Sequence, residues 1–251
     1  NEMDSIKKEL ISKVKAVGNN IHLKNQMTRL RLRKKMEGRV PPKPEIKTKK
    51  EFVPNDKLKR LNIKLVGIGI STGGPKALQE VIPKFSAKFP VPIVIVQHMP
   101  PYFTKSFAER LNGISKIAVQ EAADGQFLKS GNAYIAPGGF HMTIDSNFQI
   151  HISDEPYDAL YRPCVDVTFN SIISHVRKNF LGVIMTGMGK DGLESLKKLN
   201  QLGGYIIAQS LKTCVIAGMP DSIIKAGIQD DIRDLDNIAP TIENIVSKKF
   251  D

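Results

Sequence analysis

"LVGIGISTGGPKALQEVIPKF", Leu65 to Phe85, decides how the chain folds. Its first six residues are apolar or glycine on both parities, as in a strand buried on both faces. Ser71, Thr72 and the Gly73-Gly74 pair interrupt the run, and from Pro75 the apolar residues return at helical spacing. A buried strand that turns at once into a helix is the opening of a βαβ unit. The pattern recurs downstream. "PIVIVQH" (92–98), "GVIMTG" (182–187) and "GYIIAQ" (204–209) are runs of the same kind, while "FTKSFAERL" (103–111), "VDVTFNSIISHVRKN" (165–179) and "DGLESLKKLNQL" (191–202) carry the helical period. The expected fold class is α/β, with a doubly wound, mostly parallel sheet. One stretch departs from it. "AYIAPGGFHMTIDSNFQIHIS" (133–153) has short alternating runs split by Gly-Gly and Asp-Ser-Asn and no room for a crossover helix, so an antiparallel hairpin extension is expected there.

Upstream of Leu65 the chain changes character. Residues 1–60 hold 18 of the 37 Lys and Arg but only 7 of the 25 Asp and Glu, so nearly all of the formal net charge of +12 belongs to an N-terminal arm. Two domains of unequal kind are expected: residues 1–60, a short helix and basic linker, and residues 61–251, the α/β domain. In the arm, Met3, Ile6, Leu10, Val14 and Val17 recur at helical spacing. "RLRLRKKMEGRVPPKPEIKTKK" (29–50) has clustered cations, a Pro-Pro pair and no sustained period, and reads as an exposed linker. It lacks interleaved aromatics, so its cations read as a solvated stretch and not as a nucleic-acid grip. The chain begins at Asn1 without an initiator methionine and reads as a piece of something longer. Cys164 and Cys214 stand apart with no CxxC or Cys/His spacing, which argues against a disulfide framework or a zinc site and for a reducing cytoplasm. The apolar runs are too short to span a bilayer, and no signal-peptide pattern opens the chain.

Open α/β sheets bind ligands at the carboxyl ends of their strands, so the residues after each run are the ones to inspect. Ser71 follows the first, in a G-x-S-x-G turn with Gly69 and Gly73; such a turn leaves the hydroxyl projecting above the sheet. Two plainer readings compete. Gly67 and Gly69 could open a dinucleotide fingerprint, but that motif needs glycine where Thr72 stands and an acidic residue where His98 stands. The serine could also be a helix N-cap. His98 closes "PIVIVQH"; His22, His141, His151 and His175 fall in the arm, a hairpin or a helix and receive no role. Asp191, in "MTGMGKDG", follows another strand at a helix start, where its plainer reading is a capping carboxylate. Three strand ends thus offer a nucleophile, a general base and a group to orient the base. The cysteines, in "RPCVDV" and "KTCVIAGMP", read as packing around the cleft floor, since a thiol nucleophile would need a base at hand.

The order Ser, His, Asp differs from that of the α/β-hydrolases and from both familiar protease orders. Together with "GISTGGP", "VQHMPPYFTKSFAERLN", "AYIAPGG", "RPCVDVTF", "TGMGKDG" and "TCVIAGMP", in that order and spacing, it makes residues 61–251 resemble the catalytic domain of the CheB family, the protein-glutamate methylesterases of bacterial chemotaxis. The resemblance implies hydrolysis of glutamate γ-methyl esters on the cytoplasmic helices of chemoreceptors, with release of methanol, often joined by deamidation of specific glutamines. It implies Ser71 as nucleophile, His98 as base and Asp191 as its partner, with Thr72 and Met188 at further active-site positions near the oxyanion hole. No metal or organic cofactor and no membrane insertion are implied. The family also carries an N-terminal phosphoacceptor receiver domain, whose last helix "EMDSIKKELISKVKAV" resembles. The sequence departs from the family at Leu193-Glu194-Ser195, where small residues and glycine are common, and at "QSLKT", which lacks an acidic residue before Cys214. Both departures bear on receptor preference.

Overall fold

The computed structural model describes residues 56–248. The amphipathic helix, the basic linker up to residue 55 and the receiver-like segment lie outside the described residues. A short helix, α1 (Asp56–Lys59), precedes β1 (Leu65–Ile70), α2 (Gly74–Val81), β2 (Ile93–Gln97), α3 (Phe103–Ile114), β3 (Ala118–Glu121) and β4 (Asn132–Ile135). There follow β5 (His141–Ile144), β6 (Ile150–Ser153), α4 (Val165–Val176), β7 (Phe180–Ile184), α5 (Leu193–Gln201), β8 (Tyr205–Gln209), α6 (Gly218–Lys225), β9 (Asp231–Arg233) and α7 (Leu235–Ser247).

Seven strands form one sheet in the order β3-β4-β2-β1-β7-β8-β9, and every neighbouring pair is parallel. The four runs that are apolar on both parities became its four central strands, because each faces two cores. Val66, Ile68 and Ile70 of β1 look into one, with Leu78 and Val81 of α2, Leu111 of α3 and Ile242 of α7. Leu65 looks into the other, with Phe169 and Ile172 of α4, Leu196 of α5 and Met219 and Ile223 of α6.

The expected hairpin is only half right. β5 and β6 do pair antiparallel, Met142 opposite Ile152, as a separate two-stranded unit, but "AYI" lies in β4, parallel to both β2 and β3. The crossover from β3 to β4 has no helix, and for that reason the stretch looked like a meander. The hairpin packs on α4, where Thr168 Oγ1 donates to the Met142 carbonyl at 2.7 Å.

Residues 56–60 are part of this domain. Leu58 is 2% exposed in the first core, and Lys57 Nζ reaches both carboxylate oxygens of Asp230 at 2.6 and 2.8 Å.

Candidate active site

The strand order reverses between β1 and β7, so the crevice of a doubly wound sheet falls at their carboxyl ends. Ser71 is the first residue beyond β1 and His98 the first beyond β2. The parallel register pairs Ile70 with Gln97, and the His98 N–H donates to the Ile70 carbonyl at 3.1 Å, so serine and histidine are next in line on adjacent strands. The Ser71 N–H donates to the Thr186 carbonyl at 2.9 Å, which ties the turn to the end of β7.

The turn itself depends on two glycines of different kind. Gly73 has φ +83, a left-handed conformation that a side chain disfavours, and it is the N-cap of α2, where no side chain bonds the helix end. Ser71 is therefore not the cap. Gly69 is needed for close approach, since a methyl group there would stand 2.7 Å from Val165 Cγ1 at the start of α4. Gly67 likewise faces Phe169 of α4. The glycines of the rejected dinucleotide reading thus serve to seat α4 on β1.

That seating delivers the N-terminus of α4 to Asp191. His98 Nε2 lies 2.7 Å from Asp191 Oδ2, which also accepts the Val165 N–H at 2.7 Å; Oδ1 accepts the Asp166 N–H at 3.0 Å and the Cys164 thiol at 3.2 Å. Burial pushes the Asp191 pKa up, but the hydrogen bonds from His98 and from the Asp166 and Val165 amides outweigh it and hold the carboxyl below its ordinary value. The two sequence readings of Asp191 are joined here. It does bond free N–H groups of a helix, but of α4 and not of α5, the helix it precedes, whose N-cap is Gly192 without a side-chain bond.

The other imidazole nitrogen, His98 Nδ1, is buried without a hydrogen-bond partner. The structure thus joins His98 to Asp191, and does not join Ser71 to the ring. Catalytic hydrogen bonds are often open in a ligand-free site. With Nε2 donating to the carboxylate, Nδ1 is left as the proton acceptor. Thr72 and Met188 are both exposed, Met188 at 63%. The Ser71 and Gly74 amides are spent, the latter on the Ser71 carbonyl at 2.8 Å, which leaves the Thr72 and Gly73 amides as the donors of the turn.

Several residues of the site escaped the sequence reading. Thr186 Oγ1 donates to the Thr72 carbonyl at 2.9 Å and accepts the Val215 and Ile216 amides at 3.1 Å, so one hydroxyl clasps the serine turn to the loop after β8. Gln97 Nε2 bonds the Ser71 and His98 carbonyls at 3.0 and 2.9 Å. Gln209 links Thr186 to Thr213, its Oε1 accepting the Thr186 N–H at 2.8 Å and its Nε2 donating to the Thr213 carbonyl at 2.9 Å. Their signal was a glutamine closing an otherwise apolar strand. Tyr161, which lies against His98, gave none.

Burial and the charge of Asp191 push the Cys164 thiol up to about 12, and burial pushes Cys214 up to about 11. Neither is a thiolate nucleophile. A cleft of about 350 Å³ between α4 and α5 contains Ser174, but that hydroxyl donates to the Ser171 carbonyl at 2.6 Å, and no histidine or carboxylate lines the cleft. Among the described residues no group of three or more His, Cys, Asp or Glu is placed to hold a metal ion, and no helix is long and apolar enough to cross a membrane.

Comparison with known proteins places the chain in a family. The model of the CheB methylesterase domain matches residues 66–242. A protein-glutamate methylesterase/protein-glutamine glutaminase 2 of Nitratidesulfovibrio vulgaris is 48% identical over 183 residues, 72% of this chain and 50% of the relative. The corresponding protein of Lawsonia intracellularis is 40% identical over 250 residues, 98% of this chain and 68% of that one. Among solved structures, the crystallised CheB methylesterase catalytic domain of Thermotoga maritima superposes with a TM-score of 0.71 at 41% identity, covering 74% of this chain and 100% of that domain. The chain spans about half the length of several of the curated relatives it matches.

Proposed function

The chain belongs to the CheB methylesterase family, and from that premise we propose that it hydrolyses glutamate γ-methyl esters on the cytoplasmic helices of chemoreceptors, with Ser71, His98 and Asp191 as its catalytic triad. The observation that carries the reading is the His98–Asp191 contact at 2.7 Å, with His98 Nδ1 buried without a partner and His98 and Ser71 at adjacent strand ends. Ser71 Oγ attacks the ester carbonyl while His98 Nδ1 takes its proton, and Asp191 stabilises the imidazolium so formed. The oxyanion of the tetrahedral intermediate is met by the amides of Thr72, Gly73 and Met188, on the turns that end β1 and β7. His98 returns the proton to the departing methoxide, giving methanol and a glutamyl ester on Ser71. Water, deprotonated by the same nitrogen, then releases the glutamate carboxylate.

The same cycle on a glutamine side chain releases ammonia, and the glutaminase half of the relatives' names supports deamidation as a second activity. The proposal includes cytoplasmic action, no cofactor, and control by a receiver domain joined upstream of the esterase. The test is methanol release from methylated receptor. The parent chain should release it and Ser71→Ala should lose on the order of 10⁴-fold or more in turnover with its fold intact. Near-parental release by Ser71→Ala would remove the serine from the mechanism.

A further inference from the structure

The segment from Tyr161 to Asp166 grips the histidine-acid pair on two sides. Cys164, Val165 and Asp166 donate to Asp191, as described. Tyr161 acts on the histidine. Its ring lies flat over the His98 imidazole, with centroids 4.2 Å apart and planes only 16° from parallel. The backbone beside it is pinned, since the Arg162 carbonyl accepts the Gly139 N–H at 3.1 Å and the Arg162 guanidinium donates to the Tyr157 carbonyl at 2.9 Å.

An imidazole held through Nε2 alone can still tilt about that one hydrogen bond, and tilting swings Nδ1 away from any fixed point. A second aromatic plane laid on its face removes that freedom. It also covers one face of the ring: the His98 side chain is only 9% exposed although it lies beyond the end of β2. A face-on ring attracts the imidazolium that forms when the base takes its proton, through the negative face of the phenol. The tyrosine hydroxyl borders Gly189, where a methyl group would stand 3.2 Å from it.

We infer that Tyr161 is a positioning residue for His98, fixing the plane of the imidazole so that Nε2 stays on Asp191 and Nδ1 stays directed at the nucleophile. The face of the ring does this, and the hydroxyl does not. The inference rests on His98 being the base of the proposed esterase, and its test is built so that the two can fail separately.

The full chain is compared with Tyr161→Phe, which keeps the ring, and Tyr161→Leu, which removes it; Tyr161→Met replaces the latter if it does not fold. The first readout needs no substrate. In the proton NMR spectrum the ring current of a stacked aromatic shifts the carbon-bound protons of His98, so their resonances should stay in place in the Phe variant and move downfield in the Leu variant. The second readout is turnover of methylated receptor, where Phe should stay within about twofold of the parent and Leu should lose roughly ten- to a hundredfold in kcat with KM nearly unchanged, as expected for a misaligned base. Unmoved His98 resonances in the Leu variant, or a Phe variant as impaired as Leu, would overturn the inference. A parent chain that releases no methanol would instead sink the esterase reading, while the NMR comparison still decides whether Tyr161 stacks on His98.

Discussion

Two hydrogen-bonded carboxylates sit at opposite ends of the same sheet, and they are built alike. At the carboxyl end Asp191 bonds His98 and two backbone amides of α4. At the amino end Asp230 bonds Lys57 and the Ile206 amide at the start of β8, the latter at 2.9 Å. In both, a carboxylate ties backbone N–H groups of one element to a side-chain donor from elsewhere. The difference lies in that donor. Lys57 is an ammonium that gives protons to hydrogen bonds and accepts none, with the Tyr205 ring 5.8 Å from it. His98 keeps one nitrogen without a partner, at the strand end beside that of Ser71. A paired acid is thus a structural device by default, and chemistry enters only where its partner can still take up a proton.

The sharpest way to break this contrast is Asp191→Asn. Loss of the charge and of the correct imidazole tautomer should lower kcat by roughly 10⁴, by analogy with the same change in the serine-protease triad. Read from sequence, such a change would spare stability, because asparagine can cap a helix too. The structure argues otherwise. Both carboxylate oxygens accept N–H donors, so the amide NH₂ must face one of them, and about 1–3 kcal/mol of stability should go with the activity. Acid unfolding supplies the sign. The folded-state pKa of Asp191 is lowered, so the unfolded chain binds more protons near and below its ordinary value of about 3.9, and the stabilisation, complete above that value, is lost as pH falls through the folded one. The stability gap between parent and variant, measured by denaturant unfolding, should therefore narrow below about pH 4. A gap constant down to pH 2 would mean that the charge of Asp191 is not what holds α4.

Truncation tests the amino end. Removing residues 1–60 takes away Leu58 and Lys57 together, and loss of a buried leucine alone costs about 2–5 kcal/mol. At roughly 2–4 °C per kcal/mol for a domain of this size, the melting temperature should fall by about 5–15 °C, with kcat on a small ester unchanged wherever the domain stays folded. Removing residues 1–55 keeps every contact described for the domain, and its melting temperature should stay close to that of the parent. Equal melting temperatures for the two truncations would show that α1 adds nothing.

These expectations also show what the sequence could carry. β1, β2, β7 and β8 were legible because a strand buried on both faces leaves an unbroken apolar run. β3 and β9 were not, since edge strands such as "AVQE" and "DIR" are short and half exposed and leave no such run. Ser71, His98 and Asp191 could be named because sheet topology sends strand ends to one place. Thr186 was hidden by its task, which is to bond backbone carbonyls and amides that no sequence pattern displays, and Gln97 left only a polar residue closing an apolar strand. Tyr161 lies in a stretch without period, and its stacking on His98 depends on how the chain returns from the β5–β6 pair.

The smallest effect asked of the comparison separates charge from tether at the amino end. Lys57→Met keeps most of the aliphatic stem and removes the ammonium; because the pair is partly exposed, at 26% and 13% for the two side chains, the cost should be at most about 1 kcal/mol. Asp230→Ala removes the acceptor of the Ile206 amide as well and leaves a half-buried ammonium behind, so about 1–3 kcal/mol is expected. Neither should touch turnover. If instead Lys57→Met cost as much as Asp230→Ala, the ion pair and not the amide tether would be what Asp230 supplies, and the likeness drawn between it and Asp191 would rest on charge alone. Denaturant unfolding of the two variants and of the double variant gives the coupling between the residues directly, because the cycle cancels whatever each does by itself.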